Sequence, residues 1–148
     1  MLLFQSLECM EDKELEKILM KKMYEMLKEK KEEKKPAFGK PVKVTYENFK
    51  EIISKNELVI LDFWAEWCYP CKIMEPIIEE LARRYPNIVF GKVNVDEESL
   101  LASHFGIMSI PTLIFFYKGK PIESLVGARP KYEIERIINR FLMMQRNE

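Results

Sequence analysis

One stretch decides the fold, Leu61-Asp62-Phe63-Trp64-Ala65-Glu66-Trp67-Cys68-Tyr69-Pro70-Cys71-Lys72. It begins within an apolar, β-branched run, residues 58–64, which predicts a buried strand. A helix is predicted to follow over residues 70–85, because apolar residues recur there at helical spacing. The two cysteines of the stretch therefore lie where a strand gives way to a helix.

The predicted position of Cys68, at the start of this helix, favours a reactive thiolate. Unpaired backbone N–H groups and the partial positive charge of a helix N-terminus stabilise an anion, which lowers the pKa of a cysteine thiol. The thiolate is the species that attacks a disulfide. Cys71 follows three residues later, about one helical turn, so it can close a small disulfide ring. The pattern predicts dithiol–disulfide exchange, with this redox-active disulfide and no added cofactor.

Asp62 interrupts the apolar strand six residues before Cys68. Burial raises the pKa of a carboxyl group, so this side chain can accept and return a proton near neutral pH. We expect Asp62 to take the proton that Cys71 loses, directly or through a water molecule. Lys92, on the next predicted strand, is the expected charge partner of this carboxyl group.

Other interpretations of these residues stay open. A Cys-x-x-Cys pair is often half of a zinc site, and Cys9 and His104 can in principle complete one. Both are remote in sequence, however, and there is no second Cys-x-x-Cys pair, so no metal is expected. Asp62 can also be a purely structural polar residue, and Lys92 a surface lysine.

The chain after about residue 40 alternates between strand and helix periods. Strands are predicted at 42–45, 58–64, 88–95, 112–117 and 122–126, and helices at 45–55, 70–85, 97–105 and from 130 onward. Thr45 is expected to cap the first of these helices. The order β-α-β-α-β-α-β-β-α predicts an α/β fold with a central mixed sheet flanked by helices.

Residues 1–36 differ from the remainder, 37–148, and are predicted to be a separate helical extension. Glu and Lys are dense between residues 11 and 35, and neither Gly nor Pro interrupts them. An apolar stripe recurs at helical spacing, formed by Leu15, Ile18, Leu19, Met23, Met26 and Leu27. This amphipathic helix can dock on the domain, pair with a second copy of the chain in a homodimer, or bind another protein.

Residues 61–72 closely resemble the active-site segment of the thioredoxin family. Residues 110–112 resemble the cis-proline segment of that family, residues 92–96 its lysine-bearing strand, and residues 126–128 its glycine-containing edge. The resemblance covers about residues 41–143 and preserves the order of the motifs. It implies a thioredoxin fold and reduction of protein disulfides, with electrons from a thioredoxin-reductase-like donor.

The resemblance also implies roles for individual site residues. Pro111 is expected in cis, facing both sulfur atoms and leaving room for a substrate sulfur. Ile110 is expected to offer backbone groups to an extended substrate segment. An apolar rim is expected from Trp67, Ile110 and the edge formed by Gly127 and Ala128. Tyr69 and Pro70, between the cysteines, are the other expected substrate-binding residues.

Tyr69 departs from the usual family form, which has glycine between the cysteines at this position. Residues between the cysteines tune the relative stability of dithiol and disulfide, and about 30 mV corresponds to only about 1.4 kcal/mol. Isomerisation or oxidation of protein disulfides therefore stay open beside reduction. So does a function of another class, an adaptor that binds a partner through the N-terminal helix.

Charge and composition narrow the expected partners. The 148 residues carry 24 Lys+Arg and 24 Asp+Glu, so no net charge favours nucleic acid or an anionic membrane. No apolar run approaches the roughly 20 residues of a membrane span. The apolar start, residues 1–4, is soon followed by acidic residues rather than by the pattern of a secretory signal. We expect a cytoplasmic protein in which Cys9 is a passive thiol.

Overall fold

The computed structural model of the chain describes residues 13–25 and 39–147. Residues 13–25 form helix α1. The elements of the second range are β1 (Val42–Lys43), α2 (Phe49–Lys55), β2 (Leu58–Trp64), α3 (Tyr69–Arg84), β3 (Val89–Asn94), α4 (Ser99–His104), β4 (Thr112–Tyr117), β5 (Lys120–Val126) and α5 (Lys131–Arg146). Within these two ranges no helix is both long and apolar enough to cross a membrane.

Helix α1 falls within the predicted N-terminal helix. The stripe residues Leu15, Ile18, Leu19 and Met23 belong to it, whereas Met26, Leu27 and Cys9 lie outside the described residues. The boundary at residue 36 lies outside them as well, so the division of the chain into an extension and a domain stays a prediction.

Five strands form one mixed sheet in the order β1-β3-β2-β4-β5. The central strand β2 runs parallel to β3 and antiparallel to β4, and β5 pairs antiparallel with β4 at the edge. Parallel neighbours need a long crossover, which helix α3 provides between β2 and β3. The predicted order of strands and helices and the mixed sheet are both confirmed.

Side chains of β2 alternate between the two faces of the sheet. Leu58 and Ile60 pack with residues of α3 and α5, whereas Val59 and Leu61 pack with residues of α2 and α4. Asp62 continues the even-numbered series, so its carboxyl group belongs to the face that α3 covers. The alternation of a single strand thereby carries a charged residue into the layer beneath the cysteine-bearing helix.

The prediction that Thr45 caps α2 is wrong. Asn48 is the N-cap residue, and α2 begins at Phe49. The Oδ1 atom of Asn48 accepts a hydrogen bond from the backbone N–H of Thr45 at 2.7 Å, and the Thr45 carbonyl accepts one from the N–H of Phe49 at 3.0 Å. This local bonding by an asparagine side chain closes a turn before the helix can start.

Other element boundaries also differ from the expected ones. Strand β5 begins at Lys120 rather than at residue 122, because the turn before it is tight. Lys118 and Gly119 have φ values of 50° and 83°, the left-handed region that such turns use. Helix α4 is shorter than residues 97–105 and spans Ser99–His104.

Candidate active site

Cys68 and Cys71 form a disulfide bond at the N-terminus of α3, with their Cα atoms 5.3 Å apart. Cys68 is the N-cap residue, and its Sγ accepts a hydrogen bond from the backbone N–H of Cys71 at 3.3 Å. Pro70 lies in the first turn, where a backbone N–H has no helical partner. A thiolate formed at Cys68 on reduction is therefore next to a donor and to the positive end of the helix, both of which stabilise a negative charge.

Asp62 is buried beneath this helix, with 2% of its surface exposed. Burial raises the pKa of its carboxyl group to about 7, while the charge of Lys92 lowers it and that of Glu75 raises it. Its Oδ1 atom has no hydrogen-bond partner among the described residues. Such a carboxyl group changes its protonation state near neutral pH, as an acid–base group in disulfide exchange must.

Lys92 lies directly beside Asp62, because the two are register partners on the parallel strands β3 and β2. Its ammonium group pairs with Glu75 on α3, with 3.1 Å between Nζ and Oε1. The same Nζ lies 4.6 Å from the centroid of the Trp64 ring, within the range of a cation–π contact. The expected partner of Asp62 is thus adjacent to it in the sheet and acts on its pKa, but its ion pair is with Glu75.

Asp62 and Cys71 line one cavity of about 210 Å³, which we call the Asp62 cavity. The other residues that line it are Trp64, Glu66, Lys72, Glu75 and Lys92. A water molecule occupies about 30 Å³ in the liquid, so this volume is large enough for several. The cavity can therefore hold water beside both the Asp62 carboxyl group and Cys71.

The expected substrate rim is exposed on its helix side. Trp67 and Tyr69 have 71% and 73% of their surface exposed, and Pro70 is exposed as well. The indole N–H of Trp67 donates a hydrogen bond to Oδ2 of Asp96 at 2.9 Å. Large apolar groups that face solvent around a reactive disulfide suit contact with another protein.

The opposite side of the rim combines two loops. Ile110 packs against the cluster of Ala65 and the two cysteines, and the peptide bond between Ile110 and Pro111 is cis. The carbonyl oxygen of Pro111 accepts a hydrogen bond from the backbone N–H of Gly127 at 2.7 Å. Gly127 is partly exposed and Ala128 is exposed. The structure therefore brings the Ile110–Pro111 and Gly127–Ala128 segments together.

His104, one of the residues considered for zinc, packs among aromatic side chains. The ring of His104 contacts the rings of Phe49 and Phe105, with centroid distances of 5.6 and 4.9 Å. In the part of the chain that the structure describes, no three His, Cys, Asp or Glu residues are grouped as a metal site. Cys9 lies outside that part.

Comparison with known proteins assigns the chain to a family. Residues 40–140 match the family called Thioredoxin. The chain belongs to the thioredoxin family. It is 45% identical to the thioredoxin of Alicyclobacillus acidocaldarius over 93 residues, which cover 62% of this chain and 89% of that protein. It is 43% identical to the thioredoxin of Chlamydia caviae over 96 residues, 65% of this chain and 93% of that protein.

Solved structures of other thioredoxins share the fold. A variant of the thioredoxin from Halobacterium salinarum superposes with a TM-score of 0.67 at 32% identity, covering 72% of this chain and 94% of that chain. The Plasmodium falciparum thioredoxin gives 0.64 at 40% identity, covering 68% and 98%. This chain is therefore a thiol–disulfide oxidoreductase and a protein-disulfide reductase of the thioredoxin fold. Family membership implies protein disulfides as substrates and a reductase as electron donor.

Glu75 and Asp96 contact site residues that the sequence singled out, yet neither was assigned a role from the sequence. Glu75 follows Cys71 by four residues, a spacing that places both on one face of a helix. That spacing was the available signal for Glu75. Asp96 reaches Trp67 across 29 positions of sequence, so no local pattern indicates the contact.

Proposed function

We propose that this thioredoxin reduces protein disulfides with Cys68 as the attacking thiolate, Cys71 as the resolving thiol and Asp62 as the acid–base group. The observation that carries the proposal is that Asp62 and Cys71 line the same cavity. A buried carboxyl group with a pKa of about 7 next to the thiol that must lose a proton is the arrangement that general base catalysis needs.

In the first step, the Cys68 thiolate attacks one sulfur of the substrate disulfide. A bond forms between Cys68 and that sulfur, the substrate disulfide breaks, and the leaving sulfur takes a proton from solvent. The N–H of Cys71, which donates to the Cys68 Sγ at 3.3 Å, stabilises the thiolate before the attack.

In the second step, Asp62 accepts the Cys71 thiol proton, and the Cys71 thiolate attacks the Cys68 Sγ. The Cys68–Cys71 disulfide forms, the mixed disulfide breaks, and the second substrate sulfur leaves and is protonated. Two electrons have then passed from the dithiol to the substrate. The protein is left as the disulfide described above, and a donor of the thioredoxin-reductase type returns it to the dithiol.

The substrate is proposed to lie across the rim as an extended segment. Ile110 offers backbone groups, and Pro111, which has no N–H, leaves space for the substrate sulfur. The residues that surround the disulfide and contact the segment are Trp67, Tyr69, Pro70, Gly127 and Ala128. Lys92 is proposed to act only through the charge that it brings to Asp62.

Trapping of mixed disulfides tests this proposal. Cys71→Ser should accumulate a covalent adduct between Cys68 and a protein substrate such as insulin, whereas Cys68→Ser should form none. Asp62→Asn should keep the first step and slow release of the second substrate sulfur by about tenfold or more. Release at the wild-type rate in Asp62→Asn contradicts the role of Asp62, and adducts in Cys68→Ser contradict that of Cys68.

We further propose that the apolar stripe of α1 mediates pairing with a second copy of the chain. The stripe residues Leu15, Ile18, Leu19 and Met23 follow helical spacing, as in paired amphipathic helices. Light scattering of the full chain should give a dimer, and Leu19→Glu should dissociate it. Met20→Glu, off the stripe, is the control. A monomeric wild type overturns homodimerisation.

The adaptor role has a separate test. A binding partner that is retained by a Cys68→Ser, Cys71→Ser double variant supports an adaptor role instead of homodimerisation.

We infer that the protein works in the cytoplasm, because a disulfide reductase must be kept as a dithiol, and the cytosol keeps thiols reduced. Rapid alkylation of thiols in intact cells should find Cys68 and Cys71 mainly reduced. A mainly oxidised pair would indicate an oxidising compartment.

A further inference from the structure

Glu75 lies on α3 four residues after Cys71 and is half exposed. It lines the Asp62 cavity together with Cys71, Asp62 and Lys92. Its Oε1 atom is 3.1 Å from Nζ of Lys92, and the lysine side chain is only 21% exposed. Glu75 is therefore the carboxylate that pairs with the cation at the more exposed part of this cavity.

Two carboxyl groups compete for the Lys92 ammonium. Register pairing of β2 with β3 places Lys92 beside Asp62 on the same face of the sheet. The ammonium group instead pairs with Glu75 and contacts the Trp64 ring, whose centroid is 4.6 Å from Nζ. Oδ1 of Asp62 is left without a hydrogen bond from any described residue.

We propose that Glu75 is a positioning residue for disulfide exchange: it binds the Lys92 ammonium and so prevents that cation from pairing with Asp62. The inference rests on the proposed role of Asp62 as the acid–base group. Without this restraint, Lys92 would form an ion pair with Asp62 and keep it ionised. A carboxylate paired with a cation has a lower affinity for a proton, so it is a weaker base toward the Cys71 thiol.

The other charges that face Asp62 do not provide this restraint. Lys72, on α3, and Glu66, in the loop between β2 and α3, line the same cavity. From β4, the register partner of Asp62 is the uncharged Leu113. Burial is the largest cause of the raised pKa of Asp62, and the charges that modify it are those of Lys92 and Glu75.

Titration of the Asp62 carboxyl group in Glu75→Gln tests the proposal. NMR measures the pH midpoint of this titration. The sample is the full chain in its disulfide form, labelled with ¹³C at the aspartate carboxyl carbon. Glu75→Gln should lower the midpoint by about one pH unit, because an opposite charge within 4–6 Å lowers a carboxyl pKa by about that much or more. Glu79→Gln, an exposed residue of the same helix, should leave it unchanged. An unchanged midpoint in Glu75→Gln overturns the proposal.

Repeating the titration in a Lys92→Met variant distinguishes two effects of Glu75 on the Asp62 pKa. One is the positioning of Lys92, and the other is the direct repulsion between the two carboxylates. With Lys92→Met there is no cation to release, so Glu75→Gln should then move the midpoint less than half as far. An equal shift in both backgrounds contradicts the proposal, because the glutamate would then act by its charge alone. Glu75→Asp, which keeps the carboxylate, should restore part of the wild-type midpoint.

Failure of this inference and failure of the proposed function give different results. The NMR midpoint reports the restraint on Lys92 whether or not Asp62 takes part in the reaction. The second-step rate, followed against pH, should shift in parallel with the NMR midpoint in Glu75→Gln. A shifted midpoint with an unshifted rate profile supports the positioning of Lys92 and refutes Asp62 as the acid–base group.

Discussion

Trp67 donates its indole N–H to Oδ2 of Asp96 at 2.9 Å, which ties the loop before α3 to the loop after β3. The acceptor is itself held, because the backbone N–H of Asp96 donates to Oδ1 of Asn94 at 2.9 Å. An exposed indole next to Cys68 therefore has a fixed orientation before a substrate arrives. Preorganisation of this kind reduces the entropy that binding costs.

Asp96→Ala is expected to weaken the interaction with protein substrates. Loss of the hydrogen bond lets Trp67 rotate, and a net contribution of about 1 kcal/mol corresponds to roughly a fivefold fall in kcat/KM. The change should appear mainly in KM for insulin. Turnover of a small aromatic disulfide, which needs little of the rim, should be nearly unaffected.

Glu97→Ala is the matched control for this experiment. Glu97 is the adjacent acidic residue and pairs with Lys43 at 3.2 Å, so its removal changes the local charge equally and leaves the indole bond intact. An equal loss in both variants would attribute the effect to charge and not to the orientation of Trp67.

Asp62 should make the stability of the protein depend on pH. Its pKa is about 7 in the folded protein against 3.8 for an unperturbed side chain. Between these values the folded state keeps a proton that the unfolded chain has released, so stability falls as pH rises from about 4 to about 7. The free energy of unfolding of Asp62→Asn, relative to wild type, should rise over that range by on the order of 4 kcal/mol.

Urea unfolding of the disulfide form at several pH values measures this difference. Glu97→Gln, an exposed acidic residue, serves as control and should show no such trend. Parallel stability curves for Asp62→Asn and wild type would refute a raised pKa at Asp62.

The parts of the fold that local sequence determines were predictable. Strand β2, Leu58–Trp64, was predicted with its bounds because six of its seven residues are apolar, and Asp62 is the one exception. The start of α2 was not predicted correctly. Either Thr45 or Asn48 can be an N-cap residue, and the hydrogen bond from the Thr45 N–H to the Asn48 side chain in the turn determines which one is. Propensity alone does not rank two good capping residues so close together.

The site likewise has a part that the sequence predicts and a part that it does not. Cys68, Cys71 and Asp62 stand within ten positions of each other, and their chemistry follows from one strand and one helix start. The partner of Lys92 could not be predicted in this way, since its ammonium can reach carboxylates on two elements. Only the packing of α3 on the sheet decides that Glu75 receives it.

Tyr69 is expected to contribute to recognition of protein substrates. It is the first residue of α3 and is 73% exposed, next to both cysteines. Tyr69→Ala should lower kcat/KM for insulin about fivefold, because partial burial of an aromatic side chain against a substrate contributes about 1 kcal/mol. Tyr132→Ala is the control, since Tyr132 is 65% exposed but lies on α5. Equal activity of Tyr69→Ala and wild type would argue against contact with the substrate.

Gly91 allows the close packing that brings β1, β2 and β3 together, and its substitution should destabilise the sheet. A Cβ atom at this position would lie 2.5 Å from Cγ2 of Val44 and 2.6 Å from Cδ2 of Leu61, both of which are fully buried. Gly91→Ala should lower the free energy of unfolding by about 1–3 kcal/mol, as overpacking of a filled core does. Ser124→Ala, on the exposed edge strand β5, should change it by no more than about 0.5 kcal/mol. Urea unfolding compares the two, and a Gly91→Ala variant as stable as wild type would mean that these side chains rearrange at no cost.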